Sequence, residues 1–137
     1  MNKVFLDTNI WLYAFIETQD KDKYEKSKDL ILQSENIVIS NQVIGEVGFN
    51  LLRKAKFSEN DWQKLIKAFY LNYEVLPLSE TEYLKASLLR EVHTLSYWDS
   101  LIIASALTQD CHILYSEDLH HQQTLEGKLT IINPFKN

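Results

Sequence analysis

The feature that most constrains the fold is the alternation of short apolar runs with longer segments of helical period. Residues 4–7, 37–40, 74–76, 112–115 and 129–132 form runs of only three or four residues, rich in β-branched side chains and too short for helices. Between them, residues 10–16, 21–33, 42–56, 59–72, 80–92 and 99–108 carry the spacing of amphipathic or buried helices. Such a βα alternation predicts an α/β domain around a mainly parallel sheet, and strands this apolar are those that helices cover on both faces. Oxygen-bearing side chains mark several helix starts. Ser58 stands three residues before Asp61, Ser79 three before Glu82, and Asn41 precedes the helix that holds Glu46.

At 137 residues the chain has the size of a single domain, and three Gly and two Pro leave no linker-like stretch. One domain over 1–137 is therefore expected. The apolar run after Met1-Asn2-Lys3 stops at Asp7, too soon for a signal peptide or membrane span. A lone Cys111 has no internal disulfide partner. Both features lead to the expectation of a soluble cytoplasmic protein without a membrane partner. The net charge of −5 argues against nucleic-acid binding that works mainly by neutralising phosphates, so any such binding has to be local or assisted by metal. Basic residues do gather at Arg53-Lys54-Ala55-Lys56, with Lys64 and Lys67 beyond; alone they read as a solvated helix face.

Four carboxylates stand in unusual settings. Asp7 closes the first strand, and in open α/β sheets ligands bind outside the carboxyl ends of the strands; taken alone it also reads as a helix N-cap. Glu46 is embedded in Val43-Ile44-Gly45-Glu46-Val47-Gly48-Phe49, where two helical glycines suggest close backbone packing and leave room beside the carboxylate. Asp99 opens the nearly all-apolar segment Leu101 to Leu107, where a helix dipole alone would favour it. Asp118 follows the fourth strand, with Glu117 competing for its role. Carboxylates gathered this way cannot all stay ionised without a counter-ion. Hard cations such as Mg²⁺ or Mn²⁺ match oxygen donors, whereas Zn²⁺ would call for His and Cys. The four His residues, His120-His121 among them, show no zinc spacing and are read as surface residues.

At these residues the sequence resembles the PIN domain family and, within it, the VapC-type toxins of bacterial toxin–antitoxin pairs. The matching pieces are Phe5-Leu6-Asp7-Thr8-Asn9, Ser40-Asn41-Gln42-Val43-Ile44-Gly45-Glu46, Ser96-Tyr97-Trp98-Asp99-Ser100-Leu101-Ile102 and Leu114-Tyr115-Ser116-Glu117-Asp118-Leu119, in the family's order. The resemblance implies a three-layer α/β/α fold with a five-stranded parallel sheet. It also implies a catalytic set of Asp7, Glu46, Asp99 and Asp118. Asp7, Asp99 and Asp118 would be the metal ligands, while Glu46 would bind through water or orient the attack; Thr8, Ser116 and Glu117 would support the site. One departure stands out. The family often has a further acid just beyond the position matched by Asp118, where this chain has Leu119-His120-His121, and this leaves open whether a second metal is held.

The expected activity is that of a Mg²⁺- or Mn²⁺-dependent endoribonuclease, acting as a toxin with an RNA substrate, a cognate antitoxin and a homodimeric state. The apolar stretches Ile10 to Ile16 and Phe69-Tyr70-Leu71 offer candidate binding patches or simply core. Two readings compete with the toxin: an RNA-processing PIN nuclease without an antitoxin, and a non-catalytic acidic module that binds metal or protein. A phosphatase with an aspartyl nucleophile wants an acid two residues after Asp7, where Asn9 stands.

Overall fold

The computed structural model describes residues 2–136. The strands are β1 (Val4–Leu6), β2 (Ile37–Ser40), β3 (Glu74–Leu76), β4 (Ile113–Tyr115), β5 (Thr124–Leu125) and β6 (Leu129–Ile132). Helices α1 (Thr8–Phe15) and α2 (Lys21–Gln33) follow β1, α3 (Asn41–Lys54) and α4 (Glu59–Asn72) follow β2, and α5 (Glu80–Val92) and α6 (Tyr97–Thr108) follow β3. The strands form one sheet in the order β3-β2-β1-β4-β6-β5.

Every residue of β1 and β2 is buried. Successive strand side chains point to opposite faces, so both faces of the sheet are covered and the domain has three layers. Phe5, Trp11 and Phe69 are the largest fully buried side chains.

The five expected strands are all present and mutually parallel, but the sheet has a sixth. This correction concerns β5, two residues that pair antiparallel with β6 through a turn in which Glu126 and Gly127 both take positive φ. A pair of residues is too short to show alternation, and only the turn closes it. Two further expectations change. Ser40, not Asn41, caps α3, its Oγ accepting from the Val43 N–H at 3.3 Å, and Asn41 is already helical. Close packing holds for Gly48, where a Cβ would lie 2.2 Å from the Trp62 ring, but not for Gly45, which has nothing within 4 Å. The stretch from Ile10 to Ile16 is mostly core, since Ile10, Trp11, Leu12 and Ala14 are buried; of Phe69-Tyr70-Leu71, only Tyr70 and Leu71 are exposed.

What this topology does for a site follows from its strand order. From β1 the chain first builds outward to β2 and β3, then returns to build β4 and β6 on the other side. The direction of winding therefore reverses between β1 and β4, which leaves a crevice at their carboxyl ends.

Candidate active site at the β1–β4 switch point

Asp7 emerges from β1 at that crevice, and its backbone N–H still bonds to the Tyr115 carbonyl of β4 at 2.9 Å. Its Oδ1 accepts from the Thr8 N–H at 2.7 Å, which makes it the N-cap of α1 as well as a crevice carboxylate. Its Oδ2 accepts from the Ser116 hydroxyl at 2.9 Å. Ser116 is itself fixed by continuing the β4–β6 ladder, its N–H donating to the Ile132 carbonyl.

Glu46 reaches the same place from α3. Its Oε1 accepts from Thr8 Oγ1 at 2.9 Å and from Gln42 Nε2 at 3.4 Å, one helical turn earlier. Gln42 also donates to the Trp98 carbonyl at 3.4 Å, which links α3 to the start of α6. Asp99 lies in the first turn of α6, behind the Ser96 cap whose Oγ accepts its N–H at 3.1 Å. Arg90 secures that turn by donating to Ser100 Oγ at 2.7 Å while its guanidinium lies 4.8 Å from the centre of the Tyr97 ring.

The electrostatics bind three of the four acids into one cluster. Burial pushes the Asp7 carboxyl up to about 6; the Thr8 and Ser116 hydrogen bonds oppose this, and the charges of Asp99 and Glu46 add to it. Glu46 is also raised, first by burial, with the Thr8 and Gln42 bonds opposing and Asp99 adding to the rise. Asp7 and Glu46 thus resist ionisation because they are partly dry and because their neighbours carry the same charge.

Asp118 sits at the exposed outer side and accepts from Asn9 Nδ2 at 2.9 Å. Glu117 turns the other way. Its Oε2 takes Lys23 Nζ at 2.6 Å and its Oε1 takes the Tyr13 hydroxyl at 2.9 Å, so this acid ties the loop after β4 to α1 and α2. Asn133 holds the same loop by donating from Nδ2 to the Glu117 carbonyl at 3.4 Å. His121 is not a plain surface residue: its Nδ1 accepts from the Asn133 N–H at 2.9 Å.

The structure therefore gathers Asp7, Glu46, Asp99, Thr8 and Ser116, sets Asp118 at their edge and directs Glu117 elsewhere. Among the described residues, no group of three His, Cys, Asp or Glu side chains is arranged so that it could hold a metal ion by itself. Asn9, Gln42, Tyr13 and Lys23 also contribute, beyond the residues that the sequence singles out. Gln42 had a signal, four residues before Glu46 on a helix, and Asn9 lies within the first motif. Lys23 had none, being 94 residues from its partner.

An α/β sheet with a carboxylate cluster at its switch point defines a class of acidic sites suited to a hard cation, and likeness to known proteins narrows it. The PIN domain profile matches residues 4–125, and the chain belongs to the PIN domain family. No curated protein sequence matches it. Among solved structures, the chain is similar to a toxin–antitoxin complex from Klebsiella pneumoniae, at 17% identity and a TM-score of 0.74, covering 98% of this chain and 99% of that one. It also resembles VapC20 of Mycobacterium tuberculosis, a toxin that cleaves the sarcin–ricin loop, at 18% identity and a TM-score of 0.70 over 84% and 89% of the two chains. A third similar structure is VapBC2 of Rickettsia felis bound to promoter DNA, at 20% identity and a TM-score of 0.65 over 96% and 99%.

Proposed function

We propose that this chain is a Mg²⁺- or Mn²⁺-dependent endoribonuclease, the toxin of a toxin–antitoxin pair acting in the cytoplasm. The observation that carries the nuclease reading is the convergence of acids at the switch point, where Ser116 holds Asp7, Thr8 joins Asp7 to Glu46, and burial with the Asp99 and Glu46 charges raises the Asp7 carboxyl. The donors are all hard oxygens, and Mg²⁺ is commonly held by one or two carboxylates, with waters and substrate phosphate completing its shell, so an open cluster fits it without a cage. Asp7, Asp99 and Asp118 would hold the cation.

When bound, the ion would offset phosphate charge and make water a better nucleophile. Glu46 would orient that water and take its proton on a carboxylate oxygen, and burial shifts its pKa upward, the direction a general base at neutral pH needs. Thr8 fixes the carboxylate of Glu46, and Ser116 that of Asp7. In-line attack with the 3′ oxygen as leaving group, the pattern that the resemblance to metal nucleases implies, would leave a 5′-phosphate and a 3′-hydroxyl.

The toxin reading draws on the similar structures, two of which are described as toxin–antitoxin or VapBC assemblies. It is further supported by an apolar groove of about 370 Å³ between α1, α2 and α4, lined by Trp11, Phe15, Tyr24, Ile31, Leu65 and Phe69. An antitoxin segment with an apolar anchor would fill that groove. For the homodimer, α5 exposes Leu84, Leu88 and Val92 at helical spacing. No helix among the described residues is long and apolar enough to cross a membrane.

The test is cleavage of single-stranded RNA by the purified chain in Mg²⁺ or Mn²⁺ against EDTA, with Asp7→Asn as control. Metal-dependent cleavage that the variant lacks supports the nuclease; binding of metal without cleavage of any RNA leaves the acidic-module reading. Co-expression with the adjacent reading frame separates the toxin from an RNA-processing nuclease. A toxin is neutralised by, and co-purifies with, the neighbouring product.

A further inference from the structure

We propose that the cavity between Asp99 and Asp118 is a base-reading subsite, which takes the single nucleotide next to the scissile phosphate of a single-stranded RNA, with His93 and Gln123 as the specificity residues. This rests on the nuclease reading above and adds the part of the substrate that is recognised. The cavity has a volume of about 370 Å³. That is near the lower end of small-ligand pockets and holds one nucleotide, not a duplex.

The chemistry of its walls selects the ligand. Ile103, Leu125 and Ile131 form a buried apolar floor that suits the flat face of a base. The rim carries the imidazoles of His93 and His120 and the amide of Gln123, none of which enters a side-chain hydrogen bond among the described residues. These groups can each donate and accept, which is what the edge of an unpaired base requires. Two of the site carboxylates, Asp99 and Asp118, line the same cavity. A nucleotide seated there therefore has its phosphate at the acid cluster. No Lys or Arg lines the cavity, so the base rather than the sugar–phosphate backbone is what it reads.

The wall is also held in advance. Along the loop after β4, Asp118, His120 and Gln123 face the cavity, while Glu117 and His121 are engaged behind it by Lys23, Tyr13 and Asn133. The Gln122 N–H donates to the Ile131 carbonyl at 2.7 Å and the Gln123 N–H to the His120 carbonyl at 3.2 Å. Phe135, its ring centre 5.3 Å from that of Tyr13, packs edge-on against the anchor. A wall fixed from behind loses little entropy when the ligand enters, and that favours discrimination between bases over adaptation to any of them.

The experiment uses the full chain, His93→Ala and Gln123→Ala, and a pool of short single-stranded RNAs randomised beside one cleavage site. The wild type is expected to prefer particular bases at one flanking position. Each variant should flatten that preference and raise KM roughly tenfold, the scale of one lost base contact, with kcat at saturating RNA within about threefold. Mn²⁺ affinity by calorimetry should be unchanged. Unaltered preference and KM in both folded variants overturn the subsite, and so does loss of Mn²⁺ binding, which would make these residues supports of the metal site. Retained base preference with loss of a co-purifying partner would assign the cavity to a protein ligand instead. A wild type that cuts no RNA overturns the nuclease reading itself and the subsite with it.

Discussion

Replacing Asp7 with Asn should abolish cleavage and make the metal-free protein more stable. The carboxyl titrates at about 6 in the folded chain against an ordinary 3.8, so at pH 7.5 the fold carries a charge it would rather not hold. That gap corresponds to about 3 kcal/mol. The amide keeps an oxygen for the Thr8 N–H and is as good an N-cap as Asp, but its NH₂ must then face Ser116 Oγ, whose hydroxyl has to turn and accept. Discounting for that change leaves a gain of about 2 kcal/mol, or roughly 5–10 °C in Tm for a domain of this size.

The sign is set by proton linkage. Because the folded pKa is raised, the native state binds the proton more tightly than the unfolded chain, and wild-type stability falls as pH rises from about 4 to about 6. Below that window both states are protonated and the penalty vanishes; above it the penalty is complete. Asp7→Asn lacks this slope. Thermal unfolding in EDTA at pH 4 and pH 7.5 should show the variant ahead only at the higher pH, with cleavage in Mg²⁺ reduced at least roughly a hundredfold. A variant that melts at or below the wild type at pH 7.5, or whose advantage is equal at both pH values, would refute the reasoning.

Cleavage should decline as pH falls through about 6 at low Mg²⁺, and the half-activity pH should move down as Mg²⁺ rises, because proton and cation compete for Asp7; a half-activity point indifferent to Mg²⁺ would contradict this. Asp118→Asn should weaken Mn²⁺ binding measured by calorimetry more than Glu117→Gln does. Glu117→Gln should instead cost about 1–2 kcal/mol in urea unfolding, because Lys23 and Tyr13 lose their charged partner; the reverse ranking would make Glu117 the ligand. Gly48→Ala should destabilise by about 1–3 kcal/mol through the clash with Trp62, whereas Gly45→Ala, in open space, should stabilise by about 0.5–1 kcal/mol. Equal urea midpoints for the two glycine variants would count against the packing at Gly48.

What the sequence discloses here depends on how far apart the interacting residues lie. The five parallel strands are legible because each is a local apolar run, and the acids at 7, 46 and 99 because a carboxylate inside or against an apolar segment conflicts with local rules. β5 is not legible, since two residues have no period, nor is the choice of Ser40 over Asn41 as cap, since both are good caps and only the backbone turn decides. The anchors are the least legible. Lys23 meets Glu117 across 94 residues and Asn9 meets Asp118 across 109, pairings that exist only after β4 has been laid beside β1. These anchors separate two adjacent acids: in sequence Glu117 and Asp118 are interchangeable, but a tyrosine from α1 and a lysine from α2 hold the first, while the second accepts from Asn9 at the edge of the crevice. The charge left free at the crevice is thus chosen by elements distant in the chain. A site with unsatisfied negative charge therefore depends on neighbouring contacts that are satisfied, and Asp118 stays available because Glu117 is held.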